Sequence, residues 1–128
     1  MKKYIITIIA MILVSCKHEL TKEENKLVDS TKKWVIYTHD GRISKNRIQF
    51  STYLKFSPNG TLVEYKFNDN SMYGKSTWNY LQYEKILNMY DYYEFKDIIV
   101  YEDSIVMKDT KDKDNIVRLV NWNKLPER

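Results

Sequence analysis

From Lys33 onward the chain carries short apolar runs, broken by turn residues at intervals of about 8 to 12, the spacing of small β-sandwiches and barrels. Trp34-Val35-Ile36-Tyr37 predicts a first strand ended by Asp40-Gly41. The strongest local signal follows: Ile48 to Ser57 and Thr61 to Phe67 flank Ser57-Pro58-Asn59-Gly60. Pro58 presets the turn, and Gly60 can take the left-handed conformation that closes a hairpin. Phe50, Leu54 and Phe56 share one side of the first strand, and Val63, Tyr65 and Phe67 alternate along the second, with Lys55, Glu64 and Lys66 between them. The expectation is one core face made of the aromatic and aliphatic set and one water face carrying the charges.

Gly74 opens a further strand through Trp78 and Tyr80. Leu81 to Tyr90 has a spacing that suits a helical turn nearly as well, and reads as strand. Tyr92 to Tyr101 and Ser104 to Lys108 form a hairpin around Glu102-Asp103, and Asn115 to Trp122 makes the last strand. Every link is short, and parallel pairs need a crossover of a dozen or more residues, so neighbours are antiparallel. About eight strands result: an all-β, small antiparallel up-and-down meander or barrel, closure being the arrangement that removes exposed edges. Composition agrees, since the only alanine is Ala10 while tyrosine occurs 11 times. Ahead of the strands, residues 17 to about 30 are polar, and Thr21 with Glu24 makes a capping-box pattern for a short helix that Leu27 and Val28 could dock onto the domain.

The start of the chain has a different texture. Met1-Lys2-Lys3 precedes an apolar run from Tyr4 to Val14, the layout of a signal peptide, and the run is about half the length a membrane span needs. Leu13-Val14-Ser15-Cys16 resembles the lipobox of bacterial lipoproteins. The resemblance implies diacylglycerylation of the Cys16 thiol and cleavage before it, and an ordinary signal peptide with a chance cysteine is the alternative. It divides the chain into a signal peptide at 1–15, a lipidated tether with a short helix at 16–31 and a β domain at 32–128. Cys16 is the only cysteine, so no intrachain disulfide can form, and lipidation accounts for the odd thiol. The implied partner is a lipid bilayer held through acylated Cys16, and the implied location is the cell envelope, with the outer membrane, on its periplasmic face or at the cell surface, as the expected site.

Half of the formal charge of +4 leaves with Lys2 and Lys3. The remaining Lys and Asp/Glu alternate, as in Lys108-Asp109-Thr110-Lys111-Asp112-Lys113-Asp114, which is not the clustered basic face of a nucleic-acid reader. Only His18 and His39 occur, with no cysteine free to share a metal. Asp109, Asp112 and Asp114 lack the glycine and terminal glutamate of a calcium loop and read as a hairpin tip. No Gly-x-Ser-x-Gly or histidine-bearing arrangement supports a nucleophile, and Glu64, Asp69, Glu94 and Glu102 form no distinguishable acid pair. No catalytic residue, metal or cofactor is assigned, and the chain is not expected to be an enzyme.

The region from Lys32 to Trp122 resembles the lipocalin-like bacterial lipoproteins. The resemblance rests on Trp34 in the first strand, the Phe56-Ser57-Pro58-Asn59-Gly60-Thr61 hairpin, Trp78 after a glycine, and the run Ile98 to Val106. Lys32 stands where lipocalins carry the glycine of Gly-x-Trp, and Asp91-Tyr92 is similar to their Thr-Asp-Tyr motif with Tyr90 in place of threonine. The resemblance implies that Arg118 stacks on Trp34 as a cation–π pair, the alternative being a solvent-facing strand residue. It also implies a non-catalytic binding module whose inner face, with Trp34, Phe56, Tyr65 and Trp78, holds a small apolar ligand or is filled by its own side chains. The competing expectation is a protein-interaction module, an envelope-assembly factor or immunity-type inhibitor, that presents loops or tyrosines to an envelope protein.

Overall fold

In the computed structural model, which describes residues 19–37, 45, 51–111 and 115–127, a short helix leads into eight antiparallel strands. The signal segment, Cys16, both histidines, the Asp40-Gly41 turn, Phe50 and the tip at Asp112 to Asp114 lie outside the described residues. Helix α1 spans Lys22–Leu27. Its capping box is complete: the Glu24 amide donates to Thr21 Oγ1 at 3.1 Å and the Thr21 amide donates to Glu24 Oε1 at 3.2 Å. The strands are β1 Trp34–Tyr37, β2 Thr52–Phe56, β3 Thr61–Lys66, β4 Met72–Leu81, β5 Ile86–Met89, β6 Tyr93–Val100, β7 Ser104–Asp109 and β8 Ile116–Asn121, with a 3₁₀ turn at Trp122–Lys124. Each strand pairs with the next, and β1 pairs with β8, so the sheet closes into an up-and-down barrel with no free edge.

The barrel has two unlike ends. At the proximal end α1 covers the opening: Leu27 is 2% exposed and joins the core. The Leu27 carbonyl accepts a hydrogen bond from Trp34 Nε1 at 3.0 Å. Glu23 on α1 faces Lys85 at 3.5 Å and Lys26 faces Glu102 at 3.9 Å, so the helix also touches the β4–β5 and β6–β7 turns. The distal end carries the β3–β4, β5–β6 and β7–β8 turns.

Between the ends the interior is side chain. Trp34, Leu62, Leu87, Met89, Ile105, Met107 and Leu119 are fully buried, and Leu54, Phe56, Trp78, Phe95 and Val117 pack with them. Phe56 meets Trp78 edge to face at 5.4 Å between centroids, and Trp78 Nε1 donates to the Ser57 carbonyl at 2.9 Å. The β2–β3 hairpin forms around Gly60 at φ +90°, where a side chain would be strained.

That hairpin corrects the expected faces. Its register pairs Phe56 with Leu62, Leu54 with Glu64, and Tyr53 with Tyr65. Directly opposed residues share a face, so Glu64 lies on the inner side with Leu54, and Val63, Tyr65 and Phe67 lie outside. The outer aromatics are buried all the same. Val35, Tyr53 and Val120 form a second apolar cluster on the outer wall with Tyr65, Phe67, Trp122 and Leu125 packed against it. The Lys33 ammonium sits over the Tyr53 and Trp122 rings at 4.9 and 5.8 Å. With apolar residues on both faces, alternation alone cannot tell which set is the core.

A second correction concerns the closed end. Trp34 pairs with Asn121, while Arg118 pairs with Tyr37 three places along, and side chains alternate faces along a strand. Arg118 is therefore on the outer wall and Trp34 inside, so the two cannot stack. Lys32 takes the cation's place: its ammonium lies 5.4 Å from the Trp34 ring centroid, donates to the Glu102 carbonyl and sits 3.7 Å from Glu102 Oε1. The lysine side chain is 4% exposed and Glu102 73% exposed, so the buried ammonium reaches its counter-charge at the surface.

Candidate binding site at the distal end of the barrel

The residues expected to line a ligand cavity separate. Trp34, Phe56 and Trp78 are inside the barrel, where they meet other side chains. Tyr65 is outside, stacked on Tyr53 at 5.5 Å. Trp78 borders a groove with Pro58, Asn59 and Tyr80 at the proximal end, and Trp34 borders a separate hollow around Glu64 and Tyr90 at the distal end.

Two hollows meet there. One, about 230 Å³, is bounded by Trp34, Ile36, Thr52, Leu54, Glu64 and Tyr90. The other, about 210 Å³, is bounded by Ile36, Met89, Tyr90, Tyr93, Phe95 and Val117, with Asp109 and Asn115 at its side. Tyr90 and Ile36 belong to both, so the Tyr90 ring stands as a partition between a partly polar and a mainly apolar space.

The β5–β6 turn builds this partition. Tyr90 and Asp91 both adopt positive φ, 59° and 65°. For a bulky residue such as tyrosine this is a genuine outlier, which persists only where surrounding contacts over-determine it. Here they do. The Tyr90 amide donates to the Thr77 carbonyl at 3.0 Å, and Thr77 Oγ1 donates to the Asp91 carboxylate, both from β4. The Tyr90 hydroxyl then reaches past β4 and donates to Glu64 Oε1 on β3 at 2.9 Å. Burial, followed by the hydrogen bond to Glu64, pushes the Tyr90 phenol well above the ordinary tyrosine range.

Around the partition stands a group of rings. Tyr90 lies 6.2 Å from both Tyr92 and Tyr93, Tyr92 and Tyr93 are 4.5 Å apart, and Tyr93 stacks on Phe95 at 6.0 Å. Tyr92 is 63% exposed and Tyr93 43%. The rings thus run from the surface inward to the core.

Comparison with known proteins adds no template for the site. No family model and no curated protein matches the chain. The distal end must be read from its own chemistry. Hollows divided by Tyr90, with Glu64 on one wall and Asp109 at the side of the other, offer apolar contact, ring faces and acceptors. No base or nucleophile pair accompanies them, and among the described residues no three His, Cys, Asp or Glu side chains gather as metal ligands.

The sequence names Glu64 only as one of four acids with no partner, because its place depends on register. Had the hairpin been paired by counting outward from Phe56 and Leu62, Glu64 would have fallen opposite Leu54 and emerged as a carboxylate facing an apolar interior. Asp91-Tyr92 drew notice as a motif, and the residue that does the work beside it is Tyr90.

Proposed function

We propose that this protein is a lipid-anchored protein of the cell envelope whose barrel is a non-catalytic binding module, and that its ligand seats at the distal end instead of along the barrel axis. One observation carries the reading: the interior is filled by its own side chains from α1 to mid-barrel, and hollows beside inward-facing polar groups occur where Tyr90 spans to Glu64. The two hollows that Tyr90 divides fall below the roughly 300–1,000 Å³ of ordinary small-molecule pockets, and Glu64 also borders an open groove of about 630 Å³ with Ser51, Thr52, Lys66 and Tyr73. The ligand is therefore compact, or is the end of a longer molecule, and mostly apolar. The lipid anchor rests on Leu13-Val14-Ser15-Cys16 and on the short apolar run before it.

A second reading has its own support. Met72, Tyr73, Tyr92, Tyr93 and Ile116 are all exposed near the distal turns, which suits contact with an envelope protein. Mass spectrometry of the wild-type protein extracted from membranes tests both readings. The expected spectrum shows acylated Cys16 as the N-terminal residue together with a co-purifying small molecule. Retention of residues 1–15, or a bare thiol at Cys16, overturns the anchor. One stoichiometric protein partner with no small molecule overturns the ligand in favour of the second reading.

A further inference from the structure

Glu64 is half-buried on the inner face near the barrel mouth, where an unpaired carboxylate costs more than one in open solvent. Glu64 accepts one neutral hydrogen bond, from Tyr90, on Oε1. The five ion pairs among the described residues involve Glu23, Asp97, Glu102 and Glu127, not Glu64. Lys66, two residues on and at the outer edge of the same groove, is exposed and forms none of them. The carboxylate is thus left with acceptor capacity and no ion pair, in a hollow walled by Trp34, Ile36, Leu54 and Tyr90 together with the polar Ser51 and Thr52.

Two further features point to the same chemistry. Tyr90, whose hydroxyl meets the carboxylate, belongs to a cluster of electron-rich rings with Tyr92 and Tyr93, centroids 4.5 to 6.2 Å apart. Such faces attract cations, most strongly where water is excluded. Tyr90 is held in a left-handed backbone conformation with its hydroxyl on Glu64.

We propose that Glu64 and the neighbouring Tyr90 ring, backed by Tyr92 and Tyr93, recognise a protonated amine, the ammonium seated at Glu64 and the ligand's apolar body against Trp34, Ile36 and Leu54 in the same hollow. This inference rests on the distal-end reading and adds to it the charge of the ligand. A carboxylate accepts and cannot donate, so an anion is rejected. A neutral hydroxyl can bond to Glu64 but leaves its charge unbalanced. Tyr90 fixes the rotamer of Glu64 and is a positioning residue.

The test compares three probes of one shape on the full-length protein in lipid nanodiscs by calorimetry: benzylammonium, benzyl alcohol and benzoate. A ligand of so few atoms is expected to bind at about millimolar Kd. Benzylammonium is expected to bind about tenfold more tightly than benzyl alcohol, with benzoate weaker still. Glu64→Gln is expected to abolish the preference for amine over alcohol, and melting curves of the variant establish that it is folded. Should Glu64→Gln fail to fold, Tyr92→Ala, at an exposed ring, is expected to weaken benzylammonium more than benzyl alcohol. Equal binding of amine and alcohol by the wild type overturns the charge selection and leaves the distal-end site standing. Unchanged amine affinity in Glu64→Gln overturns the assignment to Glu64. Absence of binding by all three probes overturns this inference, and only the additional absence of any co-purifying small molecule overturns the distal-end reading with it.

Discussion

Truncating Leu27 to alanine tests whether α1 is a structural part of the barrel. A helix of six residues is far below the length that is stable alone in water, so α1 holds its shape because Leu27 is sealed into the core and Trp34 Nε1 donates to its carbonyl. Burying-to-truncation changes of this kind cost about 2–5 kcal/mol, according to how far the site can collapse. The link at 28–33 joins α1 to the barrel from one side, so the helix can settle inward, which places Leu27→Ala near the lower end, about 2–3 kcal/mol. At about 4–8 °C per kcal/mol for a domain of this size, Tm falls by roughly 10–20 °C. The bond from Trp34 goes to a backbone oxygen and survives the substitution. Trp34→Phe therefore removes a different contribution, about 1–2 kcal/mol for a carbonyl left without its donor, along with some packing. Both changes act through one docked element, so the double variant should lose less than the sum of the singles. Urea unfolding followed by tryptophan fluorescence and circular dichroism measures all three. A loss below about 0.5 kcal/mol for Leu27→Ala, or strict additivity, would refute the view that α1 docks as a cooperative part of the core.

Glu102→Gln strips the buried Lys32 ammonium of its counter-charge and should destabilise by about 1 kcal/mol, the exposed carboxylate having been partly screened, whereas Lys32→Met should be neutral or stabilising. Denaturant midpoints decide it, and a Lys32→Met variant less stable than Glu102→Gln would contradict the account. Burial raises the phenol pKa of Tyr90, Tyr53 and Tyr80 in the folded state. The unfolded chain releases these protons near pH 10 while the fold retains them, so stability is full below about pH 10 and falls as pH rises through the raised values. Thermal melts between pH 9 and 12 should show this loss, and Tyr90→Phe should make it shallower; a slope unchanged in the variant would remove Tyr90 from the explanation. Asp97 sits at φ 53° in the β6 irregularity, and its contact with Lys108 at 3.8 Å is solvent-exposed. Asp97→Gly should stabilise by about 0.5 kcal/mol in urea titrations, since relief of the left-handed conformation exceeds what a surface pair contributes.

Period-two alternation, short links and tyrosine-rich runs suffice to predict eight antiparallel strands and a closed sheet, and the Thr21–Glu24 spacing predicts the helix start. Boundaries are legible only where the turn has distinctive residues. Ser57-Pro58-Asn59-Gly60 marks its hairpin, but the reading carries one strand from Leu81 to Tyr90, where β4 ends at Leu81 and β5 begins at Ile86. Gln82 to Lys85 contain no glycine or proline, and the turn is made by Lys85 adopting φ 55°. The site was not legible because it depends on register, which a strand with apolar residues on both faces leaves undetermined. Val63, Tyr65 and Phe67 look like core, and they do pack, though on the outside under Lys33 and Trp122. Arg118 shows the same dependence: its residue type suits the tryptophan, while its place opposite Tyr37 sends it to the other face.

The position of α1 bears on how cargo could arrive. Only residues 17–21 separate Cys16 from the helix, a leash of at most about 18 Å even when fully drawn out. If Cys16 carries the proposed acyl chains, the plugged base of the barrel would rest close to the headgroups. The Tyr90 turn, opposite Thr77 and four residues along β4 from Leu81, would then look outward from about 13 Å above that base. Such a stance suits capture of a dissolved molecule from the surrounding fluid and disfavours lifting a lipid out of the host leaflet.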